Sequence, residues 1–386
     1  MFRAMTGIAS ALTFPSAISI ISKSVEGGKR RNIGFATLGL AMPLGFSFGL
    51  VLGGVLLSGP GWRVGYYIMG AVSFLMFAIG ICSLPTDVNS SNQAGERIWT
   101  RLATEIDWIG AGVASVCLAL LSYVLAVLSG DINNIKDVAN IALLAFSVLL
   151  MPVFVMWMHH REKAGKPALI PNTLWNNKSF TSVCIMVLLS NAVVNCMELF
   201  SSLFFQEVQH LSALQASIRI LPSLVVGVIL NFMTGALINK VPAIYTVLIS
   251  SSLCAGAPVL MAVIEVEWPY WYSAFFAQLL APLSIDILFT VGILVVSDVF
   301  PQKTQALGGA VFNTVSQLGT SFGLTIMSVI SQSVTEGTRG NDKTSQQALM
   351  DGYRAGFWTL FAWMLTACVV GAFGLRKLGK VGEKRD

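Results

Sequence analysis

The chain has very little charge. Asp, Glu, Lys and Arg make up 11% of its 386 residues and hydrophobic residues 55%, whereas an ordinary soluble domain is about 25% charged. That scarcity excludes a water-soluble globule of this length. Histidine is also scarce: His159 and His160 stand together beside Arg161, and His210 is alone. A metal centre needs more ligands than such a pair offers. The six cysteines, Cys82, Cys117, Cys184, Cys196, Cys254 and Cys368, all fall in apolar segments without metal-ligand spacing, and read as small buried side chains. No nucleophile–base or metal constellation points to an enzyme. Gly374-x4-Gly379-Lys380 imitates a phosphate loop, but Val381 stands where Ser or Thr is required and no strand precedes it. The composition implies no cofactor. The net charge of +5 is dispersed between apolar runs and in the tail. It therefore forms no basic stripe for nucleic acid.

Apolar runs of bilayer-spanning length are abundant instead. A helix crosses the hydrocarbon core with about 20 residues. Eleven such spans can be read: 4–22, 33–57, 65–84, 108–129, 138–158, 179–204, 214–238, 242–264, 271–298, 306–330 and 355–375. They are continuous rather than alternating, which argues against a β-barrel. The fold class is an all-α polytopic membrane protein. Its longer connections are 85–107, 159–178 and 331–354. Placing the tail Arg376-Lys377-Leu378-Gly379-Lys380 in the cytoplasm puts most Lys and Arg residues on the inner side. The exceptions are Arg3, Arg63, Lys136, Arg219, Arg339, Lys343 and Arg354. The asymmetry sets the C-terminus inside. With eleven spans, Met1 is then outside, and further helices are expected upstream.

Within this apolar background the polar residues stand out. Asp286 lies near the middle of the run from Tyr272 to Val296. A carboxylate at bilayer depth costs about 2.5–3.5 kcal/mol on insertion scales. Such a residue faces a protein interior or a water-filled path, often one that moves protons or ions. The competing reading is a structural acid bonded to a neighbouring helix. In the sixth span, Asn191, Asn195 and Glu198 share one face, which Ser202 extends. In the tenth, Asn313 and Gln317 begin a face that Thr320 and Ser321 continue. Gln278 sits eight residues before Asp286, on roughly the same side. Three polar faces suit the walls of a hydrated pathway, although interhelical hydrogen bonding without a cavity gives the same pattern. Arg219, at an outer helix end, could snorkel to headgroups or pair with Glu198.

The second span carries Gly45, Gly49 and Gly53, followed by Gly54, with Gly61-Trp62-Arg63 at the outer loop. Small residues four apart let a partner backbone approach closely, and Gly319-x3-Gly323 suggests the same in the tenth span. The second-span set resembles the major facilitator superfamily antiporter motif Gly-x3-Gly-Pro-x2-Gly-Gly, with Leu50 in place of proline. Arg3-Ala-Met-Thr-Gly7 resembles that family's fourth-helix motif Arg-x2-Gln-Gly, with Thr6 for glutamine. Asp107-Trp-Ile-Gly110, Pro167-Ala-Leu-Ile-Pro171, Phe205-Gln206 and Leu221-Pro222 resemble its fungal 14-spanning drug:proton antiporter branch. Members associated with aminotriazole resistance, boron export and low-affinity ammonium transport look most similar. Gly235-Ala-Leu-Ile-Asn239-Lys240 resembles a degenerate echo of a family loop motif.

The resemblance implies three helices missing before Met1. It implies residues 1–84 as the last three helices of an N-terminal bundle, and 85–178 as cytoplasmic loops with two intercalated helices. Residues 179–376 would form a complete C-terminal six-helix bundle, and 377–386 a basic cytoplasmic tail. The expected function is proton-coupled efflux of a small drug-like or polar solute by a monomer, in the plasma membrane. Asp286, Arg3 and Glu198 would handle protons. Asn191, Asn195, Gln278, Asn313 and Gln317 would line the path. Alternatives are an inactive truncated fragment, a non-transporting sensor or scaffold on the same fold, and ammonium or boron compounds as substrate.

Overall fold

A computed structural model describes residues 2–24, 29–83, 107–130, 134, 136–166, 168, 170, 172–237, 241–300, 302–339 and 345–376. The loop 85–106, the Asn239-Lys240 echo, parts of the Pro167–Pro171 stretch, the tail 377–386 and the side chain of Arg3 lie outside the described residues. Helices account for nearly all the rest, and the described residues contain no strand. In chain order they are α1 (Phe2–Ser24), α2 (Lys29–Ser58), α3 (Trp62–Ser83), α4 (Trp108–Gly130) and α5 (Val138–Lys163). Next come α6 (Lys178–Leu203), α7 (Ala213–Leu237), α8 (Ala243–Cys254), α9 (Gly256–Ala262) and α10 (Ala274–Leu280). The last are α11 (Leu283–Val299), α12 (Gln302–Arg339) and α13 (Ser345–Gly374). Eight described stretches are long and apolar enough to cross a membrane, and Met5–Ile21 is a shorter apolar helix.

Local chemistry sets several boundaries. Asn177 caps α6 by accepting from Phe180 N at 3.1 Å, and Asp137 caps α5 by accepting from Ala139 N at 3.3 Å. Gly61, at φ 96°, makes the left-handed turn between α2 and α3, with its N–H on Leu56 O at 2.8 Å. Two expected spans are interrupted. The eighth breaks at Ala255 into α8 and α9, and the ninth at Ala281–Pro282 into α10 and α11. Pro282 lacks the N–H that would carry the helix through. The thiol of Cys254 instead donates to Ala281 O at 3.2 Å.

The tenth and eleventh spans are longer than hydropathy suggests, so most of the expected loop 331–354 is helical. Hydropathy marks only apolar length, whereas here two polar helix ends support each other. Gly352 of α13 seats against Ser331 and Thr335 of α12, where a Cβ would collide.

The apolar interior falls into two clusters. One gathers Met197, Phe200, Phe204, Met261, Phe357 and Met364. The other gathers Phe180, Val187, Leu288, Val291 and Phe312, joined by Ile18 of α1 and Phe35 of α2. Between them lies a layer of polar side chains from the middle of α6 and α12, the last turn of α8 and the first turn of α11. The N-terminal helices join this body through α2 on α7 and α11, and α1 on α12. α3 buries no residue. α4 and α5 pack mainly on each other, and α4 also on α12.

Candidate functional site

The polar layer is built where apolar helices are locally broken or closely approached. The break at Pro282 starts a new helix, placing Ser284 and Asp286 in the first turn of α11. The positive end of the helix dipole favours an acid there. Asp286 Oδ1 accepts from Asn231 Nδ2 of α7 at 2.8 Å. The same Nδ2 donates to Gly227 O at 2.9 Å, and Asn231 Oδ1 accepts from Thr290 Oγ1 at 3.3 Å. Asn231 and Thr290 are fully buried. The carboxylate is thus gripped by an amide that is itself held at both ends. Asp286 also lies within electrostatic reach of Glu198, which is half-buried on α6.

Beside this pair, Ser284 Oγ meets Ser190 Oγ of α6 at 2.8 Å and Ser251 Oγ of α8 at 3.0 Å. Three helices therefore meet at one hydroxyl cluster. Asn191 Nδ2 donates to Ser316 O and Thr320 Oγ1 of α12, both at 2.7 Å. Asn195 Nδ2 donates back to Asn191 O at 2.8 Å. Gln278 Nε2 donates to Ser201 Oγ at 3.1 Å, and its buried Oε1 has no partner.

The structure thus divides the expected path residues. Asn191 ties α6 to α12, the interhelical role the sequence left open, while Asn195 bonds only back to Asn191 on α6. Asp286, Glu198 and Gln278 keep polar capacity toward the interior. Asn313 is half-buried and Gln317 exposed, so the face they begin is engaged only from Thr320 onward. Asn231, Thr290, Ser190, Ser251 and Ser284 went unread. Asn231 was detectable by the argument used for Asp286, because it is an amide inside an apolar run.

Arg219 packs on aromatic rings rather than on Glu198. Its guanidinium sits over the rings of Phe205 and Tyr270, 5.4 Å from each centroid, and donates to Gln209 Oε1. The flat cation stacks where a lysine would not. Burial pushes the Tyr270 phenol up to about 12, with Arg219 pulling the other way. Its hydroxyl therefore stays protonated and donates to Arg219 O at 2.7 Å. Phe205 belongs to a π-helical turn, Phe204–Val208, that ends α6.

The glycine line of α2 lies apart from the contact between α2 and α7. A Cβ at Gly45, Gly49 or Gly53 would meet nothing within 4 Å among the described residues. Only Gly54 makes contact, 3.4 Å from Leu214 and Ser217 of α7. One residue is about 100° of helix rotation, so the glycine line is not the line along which α2 meets α7. By contrast Gly319 and Gly323 lie tightly on α6, with a Cβ at Gly323 falling 2.7 Å from Ala192 Cβ.

At the inner ends, Arg31 of α2 donates to Ser297 Oγ and, at 3.0 Å, to Gln305 Oε1. Asp107 caps α4 through Gly110 N at 3.0 Å, accepts from Trp157 Nε1 at 3.1 Å and pairs with Arg161 at 3.8 Å. The Asp107-Trp-Ile-Gly110 stretch thereby fastens α4 to α5. No group of three or more His, Cys, Asp or Glu among the described residues could hold a metal ion.

Broken apolar helices around a buried polar layer define an integral, multi-pass helical membrane protein of the transporter type. Residues 1–324 match the Major Facilitator Superfamily model, and the chain belongs to that family, whose members are transporters and not enzymes. It is 35% identical to MFS-type transporter 1 of Pyricularia oryzae, over 99% of this chain and 69% of that protein. It is 25% identical to the low affinity ammonium transporter of Saccharomyces cerevisiae, over 87% of this chain and 63% of that one. Identity to the efflux pump terJ of Aspergillus terreus is 23%, over 93% of this chain and 65% of the pump. The chain thus spans about two thirds of the length of these relatives.

Proposed function

We propose that this chain serves proton-coupled efflux of a small polar or amphipathic solute across a fungal plasma membrane, with Asp286 as the proton-binding carboxyl. The observation that carries the reading is the Asn231–Asp286 contact within the mid-depth polar layer. Binding a proton removes the charge that Asn231 grips, so protonation can loosen α11 from α7. A facilitator rocks two bundles about such a midplane site. One charge moved through 100 mV supplies about 2.3 kcal/mol, enough to bias the cycle without ATP. Glu198, the electrostatic neighbour of Asp286, is a second proton acceptor on the opposite wall. Gln278, with a free buried acceptor oxygen, suits a solute that donates a hydrogen bond. Asn191 holds the α6–α12 wall, with Asn195 bonded to it along α6, Asn313 and Gln317 lie at its inner end, and Arg3 tunes coupling from α1. The distant similarity to an efflux pump supports export.

Eleven crossings fit this reading, with α8–α9 and α10–α11 each forming one interrupted crossing. The organisation is then residues 1–84 from one bundle, α4 and α5 intercalated within 85–178, a six-crossing bundle over 179–376 and a tail from 377. The protein works as a monomer. The test is transport in proteoliposomes under an imposed pH gradient. Asp286→Asn should abolish gradient-driven accumulation while leaving solute counterflow without a gradient. Retained gradient-driven accumulation in a well-folded Asp286→Asn protein would end the assignment.

A further inference from the structure

The outer ends of α6, α12 and α13 line a partly open cavity of about 320 Å³, at the small end of ligand sites, which run to about 300–1,000 Å³. Its walls differ in chemistry. α6 and α13 supply Leu199, Leu203 and Leu349 with the rings of Phe200 and Tyr353, which meet edge to face with centroids 5.7 Å apart. The facing wall is a single stripe of α12: Ser328, Ser331, Gln332, Thr335 and Glu336. Residues at this spacing share one helix face.

Several of these groups are already oriented. Thr335 Oγ1 donates to Ser331 O at 2.7 Å. Gln332 Nε2 donates to Glu336 Oε1 at 3.1 Å, which aims the carboxylate along the stripe. Tyr353 spends its hydroxyl on Glu207 Oε2 at 2.7 Å, so what it offers the cavity is its ring. The spacing of the two helices is set by Gly352, where any side chain would strike Ser331 and Thr335. Glu336 is the only charged residue among the described residues of the lining.

We infer that this cavity is an outer-side binding site for a small amphipathic organic cation, an amine whose ammonium meets Glu336 and whose apolar body lies on the leucines and aromatic rings. A lone carboxylate repels anions. Aromatic rings attract a cation as well as covering its hydrocarbon, and the stripe's oxygens accept its N–H groups. The site is separate from the proton-binding carboxyl. Leu199 and Leu203 follow Glu198 and Ser202 by one residue, about 100° further round α6. The inference therefore goes beyond the transport reading and does not rest on it.

Isothermal titration of the detergent-solubilised protein with 4-phenylbutylammonium, and with 4-phenylbutan-1-ol as its neutral counterpart, tests the assignment. The amine should bind at least about tenfold more tightly, as expected for a charge-assisted hydrogen bond. Glu336→Gln should erase that preference, and because Glu336 is exposed the fold should be untouched. Ser328→Phe should fill the cavity and weaken both probes about tenfold. If it lowers the melting temperature, Leu349→Phe from the other wall serves instead. Asp286→Asn should leave both affinities unchanged, whatever it does to transport. Equal affinity for the two probes, a preference that survives Glu336→Gln, or loss of amine binding in Asp286→Asn would each overturn the inference.

Discussion

The C-terminal helices α6–α13 and the N-terminal helices α1–α3 are built from similarly apolar sequence but use it differently. In the first region, apolar side chains fill two interior clusters, and the polar side chains between them mostly find partners on other helices. In the second, Met69, Phe74, Met76 and Phe77 of α3 are exposed. Among the described side chains there, Ile18 and Phe35 reach an interior. Lipid is as apolar as leucine, so hydropathy does not separate a side chain facing lipid from one packed on a helix. What separates the regions is close approach and polar pairing. The seam between them combines apolar contact, with Ile18 on Gly309 and Phe35 joining the buried cluster, and a polar contact between Arg31 and Ser297.

The largest expected difference lies between phenylalanines. Phe312 is 0% exposed and packs on Phe289 with ring centroids 5.5 Å apart, whereas Phe74 is 73% exposed. Phe312→Ala should cost about 3–5 kcal/mol of stability in detergent, and Phe74→Ala under about 0.5 kcal/mol. Denaturant unfolding of both proteins decides it. Equal losses would mean that α3 is as packed as α12 and that the contrast fails.

A second pair compares glycines that look alike in sequence. Gly319 lies on the backbone of Leu188, so Gly319→Leu should overpack the α6–α12 seam and cost about 1–3 kcal/mol or more. Gly49 faces open space among the described residues, and Gly49→Leu should stay within about 0.5 kcal/mol. Melting temperatures of the two variants against wild type make the measurement. A large loss at Gly49 would show that the glycine line of α2 is a packing surface after all.

These pairs also show what could be read in the chain. The limits of α4, α5 and α7 were legible to within a few residues, because caps, turn glycines and apolar length act locally. The polar ends of α12 and α13 were not, since their helicity depends on the two helices supporting each other. At the site, Asp286 was legible because a charge in a long apolar run has few explanations. That Asn231 is its partner was not, because pairing between residues 55 apart in sequence depends on how α7 and α11 pack. Arg219 was misplaced for a related reason: its sandwich needs Tyr270, which lies in a loop whose position the sequence does not encode locally. Asn191 belonged to a correctly read stripe, yet the stripe alone could not say whether it faced a path or α12.

The smallest expected effect concerns the inner seam itself. Arg31 reaches from α2 to Ser297 and Gln305, lies 5.6 Å from the Phe35 ring centroid, and has Asp298 as an opposing charge. Single substitutions would mislead here. Gln305 also donates to Ser297 O at 2.7 Å and to Phe300 O at 3.1 Å, so Gln305→Ala breaks the α11–α12 turn as well as the seam. A double-mutant cycle of Arg31→Gln with Gln305→Ala cancels that turn contribution and leaves the contact between regions. The expected coupling is about 1 kcal/mol, in the range of a net hydrogen bond, read from denaturant unfolding of the four proteins. A coupling near zero would mean that the N-terminal helices are held only by apolar contacts such as Ile18 on Gly309. A coupling of about 1 kcal/mol would make Arg31 a polar fastener between α2 and the α11–α12 turn.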